Sequence, residues 1–79
     1  MFTARIYITL KSGVLDPQGE AVKKGLAALG YECVKEVRVG KYLELRLDAP
    51  DTASAQAQVE EMCRRLLANP VIEDFRVEV

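Results

Sequence analysis

The sequence predicts an α+β fold of element order β-α-β-β-α-β. That is a ferredoxin-like, four-stranded antiparallel sheet with both helices on one face. Three observations predict it. Apolar residues alternate strictly over residues 2–10. Two segments of helical spacing follow, each opened by an Asp and closed by Gly or Asn-Pro. Further alternating runs lie at 32–48 and 71–79. Two strand-helix-strand halves meet at Gly40, and right-handed crossovers then place both helices on the same side. Residues 1–79 read as one domain, the most that so short a chain supports.

In the first strand Phe2, Ala4, Ile6, Ile8 and Leu10 point one way, and Thr3, Arg5, Tyr7 and Thr9 the other. The first helix begins at Asp16-Pro17. Aspartate accepts hydrogen bonds from free N–H groups of the first turn, and proline fits the first helical position, where its N–H is not needed. It runs to about Leu29, with Val22, Gly25, Leu26 and Leu29 on one face. Gly25 is expected to permit a close approach to the sheet, and Gly30 to end the helix in the left-handed region.

Residues 32–48 read as a hairpin about Gly40. Leu43, Leu45 and Leu47 face the core, so Tyr42, Glu44 and Arg46 face away. A three-residue loop, Arg38-Val39-Gly40, pairs Lys35 with Leu43 and Cys33 with Leu45, and it needs Gly40 left-handed. Pro50-Asp51 opens a second helix from Thr52 to about Ala68. Its apolar stripe is Ala55, Val59, Met62, Cys63, Leu66 and Leu67, and Asn69-Pro70 ends it. In the last strand Val71, Phe75, Val77 and Val79 point inward and Asp74, Arg76 and Glu78 outward.

With both helices on one face, the other face of the sheet is open. It carries Arg5, Tyr7, Tyr42, Glu44 and Arg46 on the first and third strands. Covering it with a second subunit is the simplest solution, so a homo-dimer or tetramer is expected.

Composition excludes much. There is no histidine, which removes Ser-His-Asp and Cys-His nucleophiles and the commonest metal ligand. Cys33 and Cys63 form no C-x-x-C and sit in apolar stretches, so buried free thiols in a reducing cytoplasm are expected. A net charge of −1 argues against a nucleic-acid partner, despite the paired tyrosines. The longest uncharged stretch is 8 residues, 52–59, far short of the ~20 that span a bilayer, and the N-terminus lacks signal-peptide features. Gly25-x-x-x-x-Gly30 is followed by Tyr31-Glu32 instead of Lys-Ser/Thr, so it reads as helix and cap, not as a phosphate loop. Glu60-Glu61 and Glu73-Asp74 are sequence neighbours that diverge, so they make no acid-base pair. No catalytic residue, metal set or cofactor site is expected.

Three motifs, L-K-S-G-V-L-D-P-Q-G at 10–19, V-R-V-G-K at 37–41 and M-C-R-R-L-L-A-N-P-V-I-E at 62–73, resemble the small accessory (PurS-type) subunit of bacterial formylglycinamide ribonucleotide amidotransferase. The likeness spans the chain in length and element order. It implies a non-catalytic subunit of an ATP-dependent, glutamine-hydrolysing C–N ligase of purine biosynthesis. A glutaminase subunit releases ammonia and a large synthetase subunit uses it; the small subunit bridges the two and assists transfer. Partner contacts are then expected at Lys11, Gly13, Asp16, Pro17 and Gln18 in the first loop, and at Arg38, Gly40 and Lys41. The other reading is a small-molecule-sensing regulatory module, since amino-acid-binding domains share this element order.

Overall fold

In the computed structural model, which describes residues 1–79, the opening alternation forms β1, Phe2–Leu10. It is the central strand of a three-stranded antiparallel sheet. β2, Lys41–Leu47, pairs on one side and β3, Glu73–Glu78, on the other. Ala4, Ile6 and Ile8 are fully buried, as the period-two pattern requires. Ala4 stands opposite Leu45, and Ile6 lies between Leu43 and Val77.

Two helices follow the predicted starts: α1, Pro17–Ala28, and α2, Thr52–Met62. The Asp51 carboxylate accepts the Ser54 N–H at 2.7 Å and fixes the start of α2. This helix packs on β1 and β3 through Ala55 and Val59, which with Cys63 are fully buried. The core is Ala4, Ile6, Ile8, Val59, Cys63 and Ala68, flanked by Leu43, Leu45, Leu47, Leu67, Phe75 and Val77.

The second helix differs from expectation at its end. Residues Cys63–Leu67 form a π-helical turn, in which the Ala68 N–H donates to the Cys63 carbonyl at 2.9 Å. The extra residue in that turn advances the buried face from Cys63 to Ala68, a spacing of five. Leu66, expected inside, is therefore 83% exposed, and Met62 lies at the surface.

The larger correction concerns the sheet. It has three strands, not four, and no hairpin closes at Gly40. Residues 31–40 form no ladder, and Gly40 is not left-handed; the positive-φ glycines are Gly13 and Gly30. Nor do both helices cover one face. Only Gly19 of α1 is buried, the space beside Gly25 is open, and Val22 and Leu29 lie at the surface. Cys33, expected inside, is exposed.

The reason is shape. Residues 17–39 project from the sheet as an arm, so the molecule measures 51 × 24 × 14 Å. Its radius of gyration is 16.0 Å, against about 12 Å for a compact chain of this length.

Because β1 carries the core, Ile6→Ala should lower unfolding free energy by about 2–5 kcal/mol and Ile6→Val by about 0.5–1.5 kcal/mol. Urea midpoints read through a common slope check both values.

Candidate functional site

The first loop and the residues before β2, two of the predicted contact regions, converge on Asp16. This residue follows β1 by a short loop whose turn uses Gly13 at φ +85°. Its side chain, 6% exposed, accepts the Gly19 N–H at 2.8 Å and the Val39 N–H at 2.7 Å. One carboxylate thus caps α1 and pins the chain entering β2. Arg38 makes the second tie, donating to the Val14 and Lys11 carbonyls at 3.1 Å each. Glycine is required at two points of this junction. A Cβ on Gly19 would lie 2.1 Å from the Val37 carbonyl oxygen, and one on Gly40 would lie 2.4 Å from that of Ile8.

Asp16, Arg38, Gly13 and Gly40 therefore hold the architecture of the junction. Pro17 occupies the first turn of α1 and, like Gln18, is exposed. The Lys11 and Lys41 ammonium groups turn instead toward the start of β3, at the same end of the sheet. Lys11 pairs with Asp74; Lys41 lies 3.6 Å from Glu73 and 3.5 Å from the Leu67 carbonyl. Leu15, Pro17 and Gln18 are among the exposed side chains of this junction.

The outer sheet face holds the second group. Arg5 stands opposite Glu44, Thr3 opposite Arg46 and Tyr7 opposite Tyr42. The tyrosine ring centroids are 5.2 Å apart at an interplanar angle of 42°. Arg76 of β3, absent from the predicted face, sits 4.4 Å over the Tyr7 ring and 3.2 Å from Glu78. Its outward position followed from the alternation of β3; its neighbour Tyr7 followed only once β3 was placed beside β1. Tyr42 donates to Glu44 at 2.6 Å, and this bond to a carboxylate, above all, raises the phenol's pKa. The face is polar and internally paired, so it suits a charge-complementary partner better than an apolar one.

Neither group assembles a nucleophile with a base. Burial raises the Cys63 thiol above its ordinary value, which keeps it protonated and inert. A cleft of about 350 Å³ lies beside the π-helical turn, lined by Cys63, Arg64, Phe75 and the paired Lys11 and Asp74 among others. No three Cys, Asp or Glu side chains converge as a metal set.

A family profile described as PurS, phosphoribosylformylglycinamidine (FGAM) synthase, matches residues 3–79. The phosphoribosylformylglycinamidine synthase subunit PurS of Bacillus subtilis strain 168 is 48% identical over 79 residues, 100% of this chain and 93% of that one. The corresponding subunit of Synechocystis is 54% identical over 78 residues, 99% of this chain and 78% of that one. The crystal structure of Methanocaldococcus jannaschii PurS, one of the subunits of formylglycinamide ribonucleotide amidotransferase, matches with a TM-score of 0.89 at 40% identity. The match covers 99% of this chain and 94% of that one. A chain in the structure of PurLQS from Thermotoga maritima matches at 0.84 and 32% identity, covering 99% and 98%. Matches this complete include the projecting arm.

The bonds from Gly19 first, then Val39, and the nearby Arg38 charge together hold the Asp16 carboxyl below its ordinary value. A depressed carboxyl contributes stability that is complete above the unfolded value near pH 4 and lost as pH falls through the lower folded value. The stability difference between wild type and Asp16→Asn should therefore be constant from pH 7 to about 5 and shrink toward pH 2. Urea titrations across that range check it; a difference that stays flat in acid contradicts the assignment.

Proposed function

The chain belongs to the PurS family, and we propose that it serves its enzyme as a scaffold, through surface contact and without covalent chemistry of its own. It is the small accessory subunit of phosphoribosylformylglycinamidine synthase, a ligase complex of purine biosynthesis. The reading as a stand-alone sensing module is not favoured.

The role has a physical logic. The reaction needs neutral ammonia delivered from the site that releases it to the site that consumes it. At neutral pH ammonia in water is mostly protonated and has lost its nucleophilic lone pair. A protein that joins the glutaminase to the ATP-dependent synthetase, fixes their separation and excludes water solves both problems. It needs rigid, correctly spaced surfaces and no acid or base. The Asp16 junction supplies such a surface, because two short hydrogen bonds and the Arg38 tie set its backbone before any partner arrives.

In this reading the junction with Lys11, Gly13, Asp16, Pro17, Gln18, Arg38, Gly40 and Lys41 faces the larger subunits. Asp16, Arg38 and the glycines shape it, and Pro17 and Gln18 touch the partner. The outer face with Arg5, Tyr7, Tyr42, Glu44 and Arg46 serves association between small subunits, as dimers or tetramers. The setting is the cytoplasm, where purine synthesis has its substrates; no helix here is long and apolar enough to cross a membrane. Family membership across residues 3–79 carries the proposal.

Reconstitution tests it. Glutamine-dependent amidine formation should require the small subunit, the glutaminase and the synthetase together; undiminished turnover by the two large subunits alone refutes the scaffold role. Arg38→Ala removes one of the two ties between the loop and the strand and loosens the junction, so about tenfold more small subunit should be needed for half-maximal rate, with the saturated rate unchanged.

A further inference from the structure

The end of α2 breaks the rule that the rest of the helix follows, and a cleft lies at the break. Helical spacing of three or four from Cys63 brings Leu66 or Leu67 to the floor beside it; the π-helical turn brings Ala68 instead. Leu66 is left 83% exposed while Ala68 is buried. Withholding a leucine from so small a core forfeits apolar burial, the main favourable term in folding. The small side chain leaves room in the cleft of about 350 Å³ whose walls include Cys63, Ala68, Pro70 and Phe75. That size falls within the ~300–1,000 Å³ of small-molecule sites. Breaks in a regular pattern that bring the core no gain concentrate at functional sites.

Charge selects the class of molecule that fits. Four charged residues line the cleft: Lys11, Arg64, Glu73 and Asp74. Three of them are already engaged. Lys11 pairs with Asp74, and the Glu73 carboxylate accepts the Asn69 N–H at 2.7 Å and lies 3.6 Å from Lys41. The Arg64 guanidinium has no ion pair within the chain, unlike that of Arg65, which lies 3.6 Å from Glu61. Burial raises the Cys63 thiol, and the Arg64 charge is near enough to oppose that shift. The cleft thus offers one uncompensated cation beside an apolar floor and the half-buried ring of Phe75.

We propose that this cleft binds a small organic anion, a carboxylic acid or a phosphate ester, whose acid group meets Arg64 and whose apolar body lies against Ala68, Pro70 and Phe75. A guanidinium takes an oxyanion through two parallel hydrogen bonds, which fixes the head of such a molecule. The floor and the aromatic wall hold its body by burial. A cation finds no free carboxylate here, and a neutral apolar molecule leaves the Arg64 charge without a partner. Binding of this kind is a property of the free chain and does not require the scaffold role.

Titrating the full-length, nitrogen-15-labelled chain with benzoate and with phenyl phosphate tests the site through amide chemical shifts. Saturable shifts centred on residues 63–68 and 74–75 are expected, with a dissociation constant on the order of 1 mM for molecules this small. The tighter of the two probes identifies the acid as carboxylate or phosphate. Acetate and inorganic phosphate carry the charge without the body and should bind at least about tenfold more weakly. Arg64→Ala should weaken the tighter probe about tenfold, and Arg65→Ala should leave it unchanged. Ala68→Leu, which fills the floor, should abolish binding. Shifts that never saturate, that scatter over the other basic surfaces, or that inorganic phosphate reproduces at equal concentration overturn the proposal, and none of these readings depends on a variant that folds.

Discussion

The governing constraint is the scarcity of interior. Only 9 of 79 residues are buried, and three of them, Ala4, Ile6 and Ile8, belong to one strand. β1 is therefore the element on which both ladders, the packing of α2 and the core depend. A chain with so little inside has most of its residues available as surface, and its chemistry reflects that. Apart from Asp16, the charged side chains are paired with one another or reach solvent, and the buried thiol is held in its unreactive form. The scaffold role proposed above needs no more than this.

Asp16 converts that slender core into a defined shape. In many proteins an N-cap satisfies a single helix terminus. Here the same carboxylate also holds the Val39 N–H, so the direction of α1 and the entry into β2 are fixed by one residue. Arg38 repeats the connection from the strand side to the loop carbonyls. The close contact of Gly19 with the Val37 carbonyl shows why a side chain has no place there. The arm is thus anchored at its root although its far end has no support from the rest of its own chain.

Local signals made much of this legible in the sequence. Alternation gave β1, Asp16-Pro17 and Asp51 gave the helix starts, and Gly30, at φ +99°, gave the end of α1. What escaped was governed by partners distant in sequence. The bond from Asp16 to Val39 spans 23 positions and leaves no local trace. The π-helical turn was hidden because an apolar stripe at three-four spacing predicts a continuing helix, and Leu66 has the chemistry of a core residue without its position. Of the candidate contacts, the junction residues were found together. Lys11 and Lys41 belong instead with Asp74 and Glu73, a pairing that only the order β2-β1-β3 reveals.

The fate of Gly40 shows most clearly where sequence logic stops. Alternation over 32–48, with a three-residue loop assumed at Gly40, pairs Cys33 with Leu45 and Lys35 with Leu43, but it does not establish that the loop forms. A tight loop and a straight passage through Gly40 satisfy the same pattern. The choice is made by the residues assigned to the loop itself. Arg38 is tied to Val14 and Lys11, Val39 to Asp16, and Gly40 lies against the Ile8 carbonyl. A turn would have to release these contacts to reverse the chain. Anchored in this way, the chain passes through Gly40 without reversing, and the hairpin that alternation predicts does not close.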